Sequence, residues 1–330
     1  MPRITRRSLI GGATGTLAAA SLAAVSQAQE GKPLTGKAVL VTGTSSGFGR
    51  LGAEHYARLG AKVFATMRNL PRPEAAELRA LAEREGLDLT VLELDVLSDG
   101  SVASAVAEAE RLAGGALDVV VNNAGIVIGG PVEVHDMEAT KLAFDTNVFG
   151  MQRVHRAVLP AMRARKAGLI VNISSQVGRV IFPSMGLYSA TKHAVESMSE
   201  QLAYELAPHG IEVLIIEPGG YPTEVGQNRA KYTNALFERI DEQHAAGYPE
   251  LVKRMEVPAS AQTWPGAPDP MDIPNKIAQV AAMVPGSRPL RVPVHPKPKP
   301  QAGINDAARD AQLALLGDGT FGPWAKAVLD

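Results

Sequence analysis

The sequence predicts an α/β protein in which a doubly wound, parallel, seven-stranded sheet forms one domain. Short apolar runs rich in Val, Ile and Leu recur along the chain, stretches with helical spacing separate them, and a Gly-rich turn follows the first run. Near-continuous apolar runs mark strands covered on both faces. Their alternation with helices implies right-handed crossovers between parallel neighbours.

The runs are KAVLVT (37–42), KVFATM (62–67), LTVLEL (89–94), LDVVVN (117–122), LIVNIS (169–174) and IEVLIIE (211–217). A seventh, PLRVPV (289–294), follows a helix near 273–284, so the domain is expected over 35–295. Between strand six and that helix, residues 220–270 carry Tyr221, Tyr232, Phe237, Tyr248 and Trp264. An insertion of this length in a compact domain reads as a lid over a ligand. Beyond strand seven, HPKPKPQAG reads as an extended linker before the Ala-rich helix DAARDAQLALLG. Residues 296–330 are therefore expected as a surface arm, with a partner subunit as one place to dock, and no chemistry is assigned to them.

The 330 residues are 45% hydrophobic and 20% charged, with a net charge of −1. No dense Lys/Arg block is present, which argues against a nucleic-acid partner. At the N-terminus, Arg6 and Arg7 precede an apolar Ala/Leu/Gly stretch that ends at Ser26, Gln27 and Ala28. Small residues at the first and third of these positions suit signal-peptidase cleavage. Residues 1–28 resemble a bacterial twin-arginine signal peptide, which exports cargo already folded to the periplasm. Cleavage would remove three Arg and no acid, taking the net charge from −1 to −4 and leaving no stable membrane span. The alternatives are an anchor helix, for which the stretch is short and rich in small residues, or a leader without function on a cytoplasmic protein. There is no Cys, so no disulfide or thiolate chemistry, and the seven His show no metal-ligand spacing, so no metal is expected.

After strand one comes TGTSSGFG, with Gly43, Gly47 and Gly49, and then a helical pattern. Glycines at a strand-to-helix turn let backbone approach a pyrophosphate, whose charge the helix N-terminus favours through free N–H groups. Further along, Tyr188 and Lys192 lie four apart in YSATK, and Ser174 and Ser175 lie in VNISS. Free tyrosine has a pKa of about 10 and is a poor proton shuttle at neutral pH. On a helix the ammonium shares the face of the phenol and is expected to lower its pKa toward working pH. Ser175 could hold a substrate oxygen while Tyr188 gives or takes the proton; Ser174 is its rival and should point the opposite way.

Thr42 to Gly49 (TGxxxGxG), Asn122 to Gly125 (NNAG), Ser175, Tyr188 to Lys192 (YxxxK), and Pro218, Gly219 and Thr223 (PGxxxT) occur in one order and spacing. Together they resemble the short, single-domain branch of the short-chain dehydrogenase/reductase family over about 37–225, and more loosely to 295. TGTSSGFGR and VFATMR are most similar to bacterial members near the steroid and retinol dehydrogenase branch. The resemblance implies a Rossmann fold and a nicotinamide cofactor. It places Thr42, Gly43, Ser45, Ser46, Gly47, Phe48 and Gly49 at the phosphates, and Asp95 with Val96 at the adenine. It puts Asn122, Asn123, Ala124 and Gly125 along the groove floor, and Pro218, Gly219 and Thr223 at the nicotinamide. Lys192 is implied at the nicotinamide ribose, and Asn147 as holder of a water in a proton relay with Ser175, Tyr188 and Lys192.

At the end of strand two, Met67 stands where NAD binders carry an acid, and Arg68 follows. An arginine can pair with a 2′-phosphate, so NADP(H) is expected over NAD(H). The expected activity is hydride transfer between NADP(H) and a secondary alcohol or a carbonyl compound. An apolar substrate fits Phe182, Met185, Leu187, Tyr221 and Val225. The competing readings are an exported nucleotide-binding sensor or scaffold without turnover, and an epimerase or dehydratase that uses the cofactor transiently. The family implies a homodimer or homotetramer through the helices around 140–165 and 188–207, where Ala194, Ala203 and Ala207 permit close approach.

Overall fold

The computed structural model describes residues 32–253 and 264–330; the leader reading, residues 1–28, lies outside them. Seven strands form one parallel sheet in the order β3-β2-β1-β4-β5-β6-β7. They are β1 Ala38–Thr42, β2 Lys62–Met67, β3 Leu89–Glu93, β4 Val119–Asn122, β5 Gly168–Ile173, β6 Ile211–Pro218 and β7 Arg291–Val294. The fold is a single α/β domain of the expected class.

Alternation along each strand sends neighbouring side chains to opposite faces. Val39, Val41, Val63 and Val121 enter one core with helices α1 (Gly47–Arg58) and α2 (Pro73–Glu85). Leu40, Phe64, Val120 and Ile170 enter the other with α3 (Asp99–Ala113). A short α4 (Met137–Phe144) runs through a π-helical turn, Asp145–Phe149, into α5 (Gly150–Arg165), which joins this second core together with α6 (Tyr188–Leu206). Each fully buried Leu, Ile or Phe stabilises the fold by roughly 1.5–3 kcal/mol. The chain leaves β1 toward one face and β4 toward the other, so a crevice opens between their C-terminal ends, where ligands of such sheets bind.

The stretch after β6 contains α7 (Val225–Phe237), α8 (Glu242–Ala245) and α9 (Pro249–Lys253), and it rejoins the core at α10 (Asp272–Ala281). Residues 296–330 form α11 (Gln301–Leu316) and α12 (Gly322–Leu329). They fold back on the chain itself: Val328 and Leu329 pack against the core that holds Ala203 and Leu206 of α6. Asn305 Nδ2 donates to both carboxylate oxygens of buried Glu217, at 3.0 and 2.8 Å. Beside them Arg291 pairs with Glu196 at 2.9 Å and Glu200 at 2.6 Å. No described helix is long and apolar enough to cross a membrane.

Candidate active site

The turn after β1 is built for close approach. Gly43 and Gly47 have φ of 71° and 56°, which L side chains rarely adopt. A Cβ on Gly43 would come within 2.9 Å of Ala124 Cα, and one on Gly49 within 2.3 Å of the Gly43 oxygen. Ser46 caps α1 without a side-chain hydrogen bond, which leaves the first N–H groups of the helix for an acceptor. Glu224 supplies one: its Oε2 accepts the Gly47 N–H at 3.0 Å. That carboxylate stands in for a phosphate oxygen, since an N-terminal helix dipole favours either anion. The turn thus fits a dinucleotide pyrophosphate.

A cleft of about 920 Å³ runs from this turn between β1 and β4. Gly43, Ser45, Ser46, Gly47, Phe48, Arg68, Asp95, Val96, Asn123, Ala124 and Gly125 line it, as do Pro218, Gly219 and Thr223. Asp95 Oδ1 also accepts the Leu97 N–H at 3.0 Å, which shapes the turn after β3. Thr223 sits over the Gly-rich turn, its Cβ 3.7 Å from where a Gly47 Cβ would be.

Four expected residues lie behind the cleft wall. Thr42 is buried, and its Oγ1 accepts the N–H groups of Asn123 and Ala124, both at 3.0 Å, so it clamps the β4 turn and does not face the ligand space. Gly49 faces the Gly43 backbone and allows α1 to pack closely on β1. Asn122 turns into the sheet, where its Nδ2 donates to Asn172 Oδ1 at 2.9 Å; its neighbour Asn123 takes the place in the groove. Strand alternation is the reason, because adjacent residues cannot share a face.

Asn147 is the fourth. Its Oδ1 accepts the Ile126 N–H at 2.8 Å, and its Nδ2 donates to the Ile126 oxygen at 2.9 Å and to Thr191 Oγ1 at 3.1 Å. The side chain therefore braces the turn below the cleft and uses both amide hydrogens within the fold.

Ser175, Tyr188 and Lys192 converge on one wall. Ser175 Oγ has only long partners, the Val177 N–H at 3.3 Å and the Pro218 oxygen at 3.5 Å, and it acts on the Tyr188 hydroxyl. Ser174 Oγ is buried without a hydrogen-bond partner, against Gly178, and Ser175 is the serine that reaches the phenol. Lys192 Nζ donates to the Ile173 oxygen at 2.8 Å and lies 5.7 Å from the Tyr188 ring centroid.

The titration of this pair differs from the expectation of an acidified phenol. Burial around the hydroxyl pushes Tyr188 up to about 12, with Ser175 opposing. Burial pushes Lys192 down to about 8, with Glu196 opposing. Desolvation penalises both charged forms and here outweighs the benefit of an adjacent cation.

At the end of β2, Arg68 Nη2 donates to the Oη of Tyr232 on α7 at 2.7 Å. Phe182, Met185, Tyr221 and Val225 line the cleft as expected, whereas Leu187 does not. Sequence reading missed Glu224 and Arg229, which both belong to the 220–270 stretch; its aromatics drew attention, while the charges in TEVGQNRAKY were the available signal.

An anion-binding turn at the switch point of a parallel sheet, joined by one cleft to a Ser/Tyr/Lys wall, defines a nicotinamide-dependent oxidoreductase. The short chain dehydrogenase family model matches residues 37–234, and the chain belongs to that family. Among relatives, it is 42% identical over 192 residues to an uncharacterised oxidoreductase of Bacillus subtilis, covering 57% of this chain and 66% of that one. It is 36% identical over 263 residues to retinol dehydrogenase 8 of Bos taurus, covering 77% of this chain and 80% of that one. A short-chain dehydrogenase structure from Streptomyces avermitilis is 31% identical with a TM-score of 0.65, covering 84% and 96%.

Proposed function

We propose that the protein transfers a hydride between NADP(H) and a secondary alcohol or carbonyl substrate, with Ser175, Tyr188, Lys192 and Asn147 handling the proton. The observation that carries this reading is the convergence of Ser175, Tyr188 and Lys192 on the cleft that begins at the phosphate-type turn. The nicotinamide, when bound, supplies the hydride acceptor or donor. Tyr188 gives its proton to the carbonyl oxygen or takes one from the alcohol. Ser175 Oγ, held only loosely at 3.3 and 3.5 Å, is free to turn and hydrogen-bond the same oxygen. In reduction the neutral phenol gives its proton to the carbonyl oxygen and the Lys192 ammonium steadies the phenolate left behind; in oxidation the phenol first passes its proton to neutral Lys192 or to water and then takes the one the alcohol releases. Asn147 retains one free lone pair on Oδ1, which suits it to hold a water that resupplies Lys192.

Arg68 supports NADP(H) over NAD(H): among the described residues its guanidinium has a phenol as partner and no carboxylate, so it can meet a 2′-phosphate. The resemblance of residues 1–28 to a twin-arginine leader supports export to the periplasm, and Phe149, 53% exposed at the end of the π-helical turn just before α5, supports pairing of that region in a homo-oligomer.

The test is a panel of alcohols, ketones and aldehydes read by NADPH absorbance. Tyr188→Phe should lower kcat roughly 10²–10⁴-fold, the usual span of general acid–base catalysis, with NADPH affinity kept. Wild-type turnover in that variant overturns the relay. Turnover without net NADPH consumption would instead indicate transient use of the cofactor.

A further inference from the structure

The helix α7 is pinned over the cleft. Leu236 is fully buried beside Ile126, Ile128, Ala139 and Ala143, and Thr233 Oγ1 accepts the Gly129 N–H at 3.1 Å. Arg229 lies one turn before Thr233 on the same helix face, so its side chain reaches the same stretch of backbone. The guanidinium packs against Gly129, where a Cβ would come within 2.9 Å of Arg229 Nη2 and 3.1 Å of Nε.

Among the described residues the guanidinium in that seat has no partner. Its Nε is buried without a hydrogen-bond partner. Among the described residues Arg229 makes no hydrogen bond and no ion pair, although it lines the cleft. Burial holds its pKa below the usual arginine range. A half-buried guanidinium whose Nε is shut off from solvent and meets no acceptor among the described residues is better satisfied when a counter-anion reaches it.

The position selects which anion. Of the other cations that line the cleft, Arg72 pairs with Glu74 and Lys192 donates to the Ile173 oxygen, while Arg68 meets the Tyr232 hydroxyl at the end of β2 and Lys231 lies 5.8 Å from the Tyr232 ring centroid, both away from the Arg229 seat at Gly129. Gly130, next to the Arg229 seat, donates its N–H to the Ser184 oxygen at 3.0 Å and bridges to Met185, in the segment that leads into Tyr188. Arg229 therefore adjoins the wall that carries Phe182, Met185 and Tyr188. We propose that Arg229 is a specificity residue for a substrate carboxylate: the preferred substrate is an apolar alcohol or ketone that bears an acid group, paired with Arg229 while the reacting carbon faces Tyr188. This inference rests on the redox reading above and narrows the purely apolar substrate expected from the sequence.

The experiment compares a series of oxo acids of increasing chain length with their methyl esters, using the full chain, Arg229→Leu and Arg229→Lys. Arg229→Leu should raise KM for the acids roughly 10- to 100-fold, the worth of a charge-assisted pair, while kcat and the KM of the esters stay within about threefold. Arg229→Lys should recover part of the acid preference, since it restores charge without the planar fork. NADPH Kd, read by fluorescence, should be equal in all three proteins. A wild type without acid preference overturns the proposal, as does a parallel loss of NADPH affinity in Arg229→Leu, which would assign the residue to a cofactor phosphate. If no carbonyl compound is turned over, the redox reading fails separately, and calorimetric titration of the NADP complex with saturated fatty acids and their methyl esters still decides. Acid binding by wild type but not by Arg229→Leu sustains the inference, and its absence from wild type ends it.

Discussion

Lys192 Nζ lies 5.7 Å from the centre of the Tyr188 ring and spends a hydrogen bond on the Ile173 oxygen at 2.8 Å. The lysine is buried, and its pKa falls from 10.5 to about 8. Below about pH 8 folded and unfolded chains both carry the ammonium, and the folded one bears the cost of burying it. Between about 8 and 10.5 the folded state sheds its proton first, so stability rises with pH across that window. Relative to Lys192→Met, wild type should gain about 3 kcal/mol between pH 7.5 and 10.5. Paired urea titrations at the two values check this, and a constant difference between the proteins would contradict it.

The Tyr188 phenol is held at about 12 by burial, opposed by Ser175. In the free protein, the ultraviolet difference spectrum between wild type and Tyr188→Phe should contain no phenolate band below about pH 10, where even an unperturbed tyrosine is only half ionised. A phenolate signal from this residue near neutrality would mean that the cation outweighs desolvation.

Glu224 competes for the helix N-terminus that a cofactor phosphate would use, since its Oε2 accepts the Gly47 N–H at 3.0 Å. Glu224→Gln removes the charge and keeps the shape. NADPH should bind roughly two- to fivefold more tightly, the size of an exposed helix-dipole interaction. The gain should shrink as salt is added, and unchanged or weaker binding at low salt would show that the carboxylate does not obstruct the turn.

Arg68 offers a cation at the end of β2, with Tyr232 as its hydrogen-bond partner. Arg68→Asp should lower kcat/KM with NADPH roughly 10- to 100-fold while sparing or improving NADH, because an acid repels the 2′-phosphate and accepts the ribose hydroxyls. Equal losses with both cofactors would argue against contact with the phosphate.

Arg291 lies between two buried carboxylates and a partly buried one, 2.9 Å from Glu196, 3.8 Å from Glu217 and 2.6 Å from Glu200. Removing it with Arg291→Met should cost roughly 3–5 kcal/mol at pH 8, because the acids are left without their counter-ion. Burial, with Glu196 nearby, pushes Glu217 up to about 7. An acid whose folded pKa exceeds its unfolded value favours folding when protonated, and that benefit is lost as pH rises through 4.5 to 7. The variant should therefore lose less stability at pH 5 than at pH 8, a difference that denaturant midpoints at the two values would reveal.

The sheet was legible because two-sided burial demands continuous apolar runs, and all seven runs became strands with their ends moved by at most two residues, as at Val119 and Arg291. Ser175, Tyr188 and Lys192 were legible because strand-end and helical spacing bring them to one wall. Thr42, Gly49, Asn122 and Asn147 were harder: a motif names positions near a ligand, but which atoms face the cleft depends on hydrogen bonds made to β4, Asn172 and Ile126. Arg229 gave no periodic signal at all. Its isolation is visible only once Gly129 is set against it.

By itself, the order of apolar runs, glycines and the Tyr/Lys pair determined the fold class and the wall on which Tyr188 and Lys192 meet Ser175, because those properties follow from periodicity and local spacing. The tertiary structure alone decided the protonation balance, the stand-in carboxylate of Glu224, the guanidinium of Arg229 that finds no partner among the described residues, and the return of α11 and α12 onto their own domain. Each of these depends on desolvation and on contacts between residues far apart in the chain, as with Gly47 and Glu224 or Glu217 and Asn305. No local pattern encodes such contacts.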